Sequence, residues 1–242
     1  MDVYISLLLW WVPVVVVAAL LQAIGRGKVG WAFTFAAIIA FALYSTAIFH
    51  APSIPGMPEL EGLQYNWIGK IAAILTTLAM MFVAMRVSPA ITRETLGLTL
   101  KQNEGSLRPA LIATAAMIAI QVALQLAFGG GGEPPSTETL VYQAIIPGVD
   151  EELLFRGLLL ALVAAALSTW QHGWRWAGAF VTLVFALGHS LLFAAEGVQF
   201  APDALIYVAI LGALMMYIRL RTGSILIPLI AHNLTNVVGQ LL

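Results

Sequence analysis

Eight long apolar runs dominate this chain and leave it few folds to adopt. A helix that crosses a bilayer needs about 20 mostly apolar residues, and it must pair its backbone polar groups within the segment. Of the 242 residues, 61% are hydrophobic and only 10% are charged, whereas a soluble domain carries about 25% charged residues. We therefore predict an all-α, polytopic membrane protein. Its spans are predicted over residues 4–24, 31–49, 65–85, 109–128, 139–167, 175–195, 203–219 and 224–241.

The connections between these runs alternate in charge, which predicts the topology. Basic residues occur in the odd-numbered connections and in none of the even-numbered ones, which carry acidic residues instead. We expect a multi-pass protein of a plasma (inner) membrane with both termini outside. The third connection, 86–108, is predicted to be either a short interfacial helix or an ordered loop. The basic positions are Arg26, Lys28, Arg86, Arg93, Lys101, Arg108, Arg175, Arg219 and Arg221, and the acidic ones are Glu59, Glu61, Glu133, Glu138, Glu196 and Asp203.

Composition also excludes several kinds of function. The chain has no cysteine, so disulfides, thiolate metal sites and cysteine nucleophiles are ruled out. No basic stretch is dense enough to indicate a nucleic-acid partner. The apolar composition implies membrane lipids as partners. We see no internal repeat, which argues against a transporter, because many transporters are built from repeated halves.

Glu151, Glu152 and Arg156 lie inside the fifth apolar run, where a charge is costly to desolvate. Glu152 and Arg156 are four residues apart, so they share a helix face and can form an ion pair. Glu151 lies about 100° away around the helix and lacks that partner. An unpaired carboxylate in a low-dielectric site suits a general base. We therefore assign the chemistry to Glu151 and site support to the pair; the alternative is that all three charges only join helices together.

Two later runs carry polar residues at helical spacing. His189 lies about fifteen residues into the sixth run, with Phe185 one turn before it, so a rise of about 1.5 Å per residue places it deep in the membrane. His232 and Asn236 share one face of the eighth run, where their N–H groups could stabilise an oxyanion. The alternative for these residues is packing or an interhelical clamp. Lys70, near the outer end of the third run, is expected to snorkel to the interface.

The order of these motifs resembles one enzyme family. Glu-Glu-x-x-x-Arg, Phe-x-x-x-His and His-x-x-x-Asn follow one another on separate apolar runs, and Gly-Ser-Ile-Leu-Ile-Pro at 223–228 leads into the last. The pattern is similar to the CPBP family, the CAAX prenyl proteases and bacteriocin-processing enzymes, also called glutamic-type intramembrane proteases. We therefore divide the chain into four N-terminal helices at 1–136 and a catalytic core at 137–242. The matching residues are Glu151, Glu152, Arg156, Phe185, His189, His232 and Asn236.

The resemblance implies a fold and an activity. The fold is an eight-helix bundle around an intramembrane catalytic cavity. The activity is that of an endopeptidase in which Glu151, aided by His189, activates a water molecule, while His232 and Asn236 form the oxyanion hole. The three other motif residues would support this site. The substrate would be a membrane-associated or lipidated peptide or protein.

Two alternatives accompany the resemblance. In a zinc-dependent version of the same protease, Glu151, His189 and His232 would bind the metal, because three N/O ligands and a water satisfy catalytic zinc. We favour a version without a cofactor, since Asn236 beside His232 suits an oxyanion hole better than a ligand shell. Some relatives are instead non-catalytic membrane adapters that bind a partner such as a sensor kinase; the intact motifs here argue for catalysis.

Overall fold

Long helices make up most of the computed structural model, which describes residues 2–57, 60, 62–129 and 134–242. The first half contains α1 (Val3–Ala23), α2 (Trp31–His50) with a short 3-10 helix (Ala51–Ser53), α3 (Trp67–Val87) and α4 (Leu107–Phe128). In the second half α5 (Thr137–Glu151) continues through a π-helix (Glu152–Leu159) into α6 (Leu160–Ala166). Then come α7 (Gly173–Ser190), an antiparallel hairpin of β1 (Leu191–Ala194) and β2 (Gly197–Phe200), α8 (Pro202–Thr222) and α9 (Leu226–Leu241).

The described residues contain the eight helices predicted from hydropathy, when α5, the π-helix and α6 are counted as one continuous helix. Five helices, α1 to α4 and α8, are long and apolar enough to cross a membrane by length and composition. The other helices carry most of the polar residues of the site. The all-α membrane fold is therefore confirmed. Three acidic positions of the even-numbered connections, Glu59, Glu61 and Glu133, lie outside the described residues.

Close packing between α5 and α9 holds the site together. Pro147 lies inside α5 and has no N–H to donate, so the backbone hydrogen bonds are rearranged around it. The side chain of Asn233 accepts a hydrogen bond from the N–H of Gly148 at 2.7 Å and donates one to the carbonyl of Ile145 at 3.2 Å. A Cβ at Gly148 would lie only 2.5 Å from the oxygen of that amide. Glycine therefore permits the contact, and Asn233 fixes the depth of α5 against α9.

The sixth predicted span, 175–195, is wrong at its end. Helix α7 ends at Ser190, so His189 lies in its last turn and not well inside a longer helix. Hydropathy alone does not separate a short apolar strand from the end of a helix. The hairpin is stabilised here because α1 supplies polar groups that pair with β1: the N–H of Asp2, the hydroxyl of Ser6 and the indole N–H of Trp10.

The third connection is an ordered loop, so the interfacial helix proposed for 86–108 is wrong. Its middle consists of turns, and Leu96 is fully buried in the core. Arg219 anchors it from α8, because Nη2 donates to the carbonyl of Thr95 at 2.8 Å and Nε donates to the carbonyl of Arg156 at 3.0 Å. Arg219 is therefore a buried helical residue and not a surface charge of the seventh connection.

Candidate active site

A cavity of about 300 Å³ brings the sequence-predicted residues together. Glu151 enters it from the end of α5, His189 from the end of α7, and His232 with Asn236 from α9. Lys70 of α3 also reaches it. The wall is completed by Met117, Tyr142, Gln143, Pro147, Phe185, Tyr207, Val208, Leu211, Met215 and Thr235.

The carboxylate of Glu151 is the centre of this arrangement. Its Oε1 lies 3.2 Å from the Lys70 ammonium. Its Oε2 lies 3.9 Å from Nε2 of His189 and 3.9 Å from Nε2 of His232. These separations are too long for direct hydrogen bonds. One carboxylate oxygen is therefore held, while the other faces two imidazole nitrogens across a gap that a water molecule can bridge.

Lys70 corrects two expectations from the sequence. Its ammonium does not snorkel outward but lies 2.5 Å from Oδ2 of Asp150 and 3.2 Å from Glu151. Glu151 is therefore not an unpaired carboxylate. The hydroxyl of Tyr44 donates a second hydrogen bond to Oδ2 of Asp150 at 2.7 Å. The physical reason is charge balance: the run Asp150 to Glu152 contains three acids and Arg156 neutralises one of them, so another cation is drawn inward.

The hydrogen bonds at Nδ1 determine which ring nitrogen carries the proton in the neutral form of each histidine. Nδ1 of His189 lies 2.8 Å from the carbonyl of Phe185, and because a carbonyl only accepts, Nδ1 must donate. Nδ1 of His232 lies 2.9 Å from Oε1 of Glu152, a carboxylate that also only accepts. In each neutral ring the nitrogen that faces Glu151 therefore carries a lone pair.

A fully buried ion pair supports the cavity from behind. Nη1 of Arg156 donates to Oε1 of Glu152 at 2.9 Å, and Nη2 donates to the carbonyl of Gly212 at 3.2 Å. The guanidinium lies 4.4 Å from the ring centroid of Phe185, which also packs against the ring of His189 with centroids 4.5 Å apart. Phe185 therefore lies between the ion pair and His189 and sets their separation.

The charged motif coincides with a change of helix type. Helix α5 ends at Glu151, and the π-helix begins at Glu152. Such segments are rare and often occur at functional sites. On α9, the side chain of Asn236 makes no hydrogen bond to the described part of the chain, although it lines the cavity. Its amide is therefore free to bind a group that enters there.

The three candidate zinc ligands are spaced more widely than tetrahedral zinc requires. Tetrahedral ligands about 2.1 Å from zinc are about 3.4 Å apart, whereas Oε2 of Glu151 lies 3.9 Å from each of the two imidazole nitrogens. The Lys70 ammonium also occupies the other carboxylate oxygen. Among the residues that the structure describes, no group of three His, Asp or Glu side chains is arranged to hold a metal ion.

A comparison with known protein families gives a match, and it contains the motif residues of this cavity. Residues 134–238 match the family model described as Rce1-like, type II CAAX prenyl endopeptidase. This part of the chain is similar to the CAAX protease family. The match covers rather less than half of the chain but includes every motif residue of the cavity, and it confirms the family suggested by the sequence. The match and the five long apolar helices indicate a membrane-embedded peptidase. Searches of curated proteins and of solved structures found no match.

Two polar residues beside the site lie outside the matched segment. Lys70 is on α3 and Tyr44 on α2, and both bind Asp150. Sequence reasoning missed them, although the excess of acids in the fifth run was a signal that a further cation was needed. Asn233, within the match, was also missed, because its role as a clamp is visible only from its contacts with α5.

Proposed function

We propose that this protein is an intramembrane endopeptidase that uses Glu151 to activate water. The observation that carries the proposal is the position of Oε2, which faces Nε2 of His189 and Nε2 of His232 at 3.9 Å each. A water molecule between them can donate one hydrogen to the carboxylate and the other to the lone pair of His189. Its own lone pairs are then directed into the cavity, where a peptide carbonyl would lie.

The first step forms a bond between the water oxygen and the carbonyl carbon. The proton leaves the water for Oε2 of Glu151, and the carbonyl electrons move onto its oxygen. His189 orients the water, because its Nδ1 is fixed on the carbonyl of Phe185. General base catalysis of this kind typically contributes about 10² to 10⁴ in rate. Lys70 contributes by holding Oε1, which leaves Oε2 free for the reaction.

The oxyanion then needs donors, and α9 provides them. The Asn236 amide is free to donate. His232 is assigned as the second donor, from Nε2 once that nitrogen has taken up a proton, while its Nδ1 stays bonded to the Glu152 carboxylate. Collapse of the tetrahedral intermediate breaks the C–N bond, and Glu151 returns the proton to the leaving nitrogen. Water is thus consumed, and a carboxylate and an amine are released.

For the substrate we propose a membrane-associated peptide or protein with a lipidated tail. The description of the matched family, a CAAX prenyl endopeptidase, supports this class. The cavity wall fits it, because apolar side chains such as Met117, Leu211 and Met215 surround the few polar groups. We propose that no metal takes part, since the cation beside Glu151 is Lys70.

The decisive experiment is hydrolysis of a fluorogenic peptide library, with prenylated and unprenylated members, by the purified protein. Glu151→Gln and His189→Ala should lose about 10² to 10⁴ in kcat. Glu104→Gln, in an exposed turn of the third connection, is the matched control and should retain wild-type rates. Folded wild-type protein that cleaves no member would contradict the proposal. Loss of cleavage with a chelator, restored by zinc, would replace it with a metal mechanism.

A further inference from the structure

The hairpin that follows His189 has one open strand edge, and we propose that an extended stretch of the peptide substrate pairs with it. This inference rests on the proposed function and adds how the substrate is held. The edge belongs to β2, and the groups that it offers are the backbone N–H and C=O of Val198 and Phe200.

The register of the hairpin identifies these open groups. The N–H of Ala201 donates to the carbonyl of Ser190 at 2.8 Å, across the base of the hairpin. Hydrogen-bonded and non-hydrogen-bonded pairs alternate along an antiparallel ladder. Counting from that pair in the observed register, the backbone groups of Phe200 and Val198 point away from β1. They are two residues apart, which is the spacing at which an added strand forms its hydrogen bonds.

The two edges of the hairpin differ in their hydrogen bonding: the outer edge of β1 has partners, whereas the edge of β2 has none among the described residues. The outer edge of β1 is closed by the N–H of Asp2, the hydroxyl of Ser6 and the indole of Trp10. On β2, Val198 is 58% exposed and Phe200 is 54% exposed, and neither backbone bonds to a described residue beyond the hairpin. Proteins usually guard such edges with lysine, proline or a covering segment. The described part of the chain places none of these on β2.

The open edge also lies next to the catalytic residues along the chain. Strand β1 begins two residues after His189, and Phe200 is opposite its first residue, Leu191. At about 3.3 Å per residue, the Leu191–Phe200 pair is only about 7 Å along the chain from His189. From β2 the chain passes directly into α8, whose Tyr207 lines the cavity. A strand paired with β2 would therefore end close to the site of hydrolysis.

An intramembrane protease has a physical need for such an edge. The peptide bond to be cleaved must leave its helix, and each backbone group freed at membrane depth is costly unless it finds a partner. A strand edge supplies donors and acceptors in alternation, independent of side-chain identity. Exposed apolar side chains at Val198 and Phe200 suit an apolar substrate segment.

The first test uses cross-linking, for which the absence of native cysteine is an advantage. Val198→Cys and Gln199→Cys are each mixed with a short apolar peptide that carries one cysteine, moved by one position at a time. Because side chains alternate between the faces of a strand, Val198→Cys should form disulfides with every second peptide position. Gln199→Cys, on the opposite face, should select the intervening positions. Equal cross-linking at all positions, or none, would overturn the proposal.

The second test separates backbone pairing from side-chain contact. Val198→Pro removes an N–H that the hairpin itself does not use, and an edge strand tolerates this change. Loss of one hydrogen bond predicts a fall in kcat/KM of about 3- to 10-fold, mainly through KM. Val198→Ala keeps the N–H and should stay close to wild type, as should the melting temperature of both variants. Equal losses in Pro and Ala variants would overturn the proposal.

Cleavage and pairing are scored separately, so the two proposals can fail independently. The peptide with alanine in place of cysteine is assayed for hydrolysis by the wild-type protein. Cleavage without alternating cross-links would reject the β2 edge and leave the proposed function intact. Alternating cross-links without cleavage would support the edge and contradict the peptidase mechanism.

Discussion

Replacing Lys70 by methionine is the sharpest test of the charge arrangement at the site. The ammonium lies 2.5 Å from Asp150 and 3.2 Å from Glu151, and the two carboxylates follow each other in the sequence. Methionine has a similar length and no charge, so the change leaves two neighbouring acids without a cation. The cavity wall keeps nearly the same shape, because only the end of the side chain differs.

The magnitude follows from the distance. Two unit charges 3.2 Å apart interact by about 5 kcal/mol at an effective dielectric constant of about 20. The Lys70 side chain is 17% exposed, so cavity water replaces part of this energy. Breaking a buried pair costs about 3–5 kcal/mol in measured cases, and we take the lower end. The free energy of unfolding should therefore fall by about 3 kcal/mol, and kcat/KM should fall as well, because Oε1 of Glu151 loses the group that holds it.

The assay compares Lys70→Met with Lys70→Met/Asp150→Asn and with Lys101→Met, an exposed lysine of the third connection. Peptide hydrolysis and the melting temperature in detergent are measured for each. The double variant removes one charge of each sign, so it should regain thermal stability while its activity stays below that of the wild type. Lys101→Met should match the wild type. Wild-type hydrolysis and stability in Lys70→Met would refute the reasoning.

Two further changes test neighbouring contacts. Asn233→Ala should lower the free energy of unfolding by about 1–3 kcal/mol, since the N–H of Gly148 loses its partner at 2.7 Å; an unchanged melting temperature would count against the clamp. Tyr44→Phe removes the 2.7 Å hydrogen bond to Asp150 but keeps Lys70, and a hydrogen bond to a charged group contributes about 1.5–3 kcal/mol. Tyr44→Phe should therefore lower thermal stability more than it lowers activity. An activity loss as large as that of Lys70→Met would contradict this prediction.

Local sequence patterns predict the helices and much of the cavity because both depend on periodicity. Apolar runs of spanning length predict helical rods, and spacings of four residues place Glu152 with Arg156 and His232 with Asn236 on shared faces. The motif order along the chain also predicts that His189 meets these groups, and the structure places its ring 3.9 Å from Glu151. These inferences need no knowledge of which helix is adjacent to which.

The features that sequence reasoning missed all depend on contacts between distant segments. Lys70 and Asp150 are separated by 80 residues, and no spacing rule pairs them. The hairpin replaces the end of a predicted helix because β1 meets polar groups of α1, from the opposite end of the chain. The π-helix at Glu152 leaves no signal in hydropathy. Tertiary packing decides each of these cases, whereas local propensity does not.

The location of Lys70 has a consequence for grouping the relatives of this protein. The segment that matches the family model, residues 134–238, contains the acids but not the lysine that neutralises them. Two proteins with identical motifs in that segment can therefore differ in the electrostatics of the carboxylate that we propose activates water. A relative that has Asp-Glu-Glu but no basic residue at the matching turn of its third helix must balance that charge by other means. Sorting relatives by whether this position is basic would separate those that neutralise the acids from the third helix from those that balance the charge by other means.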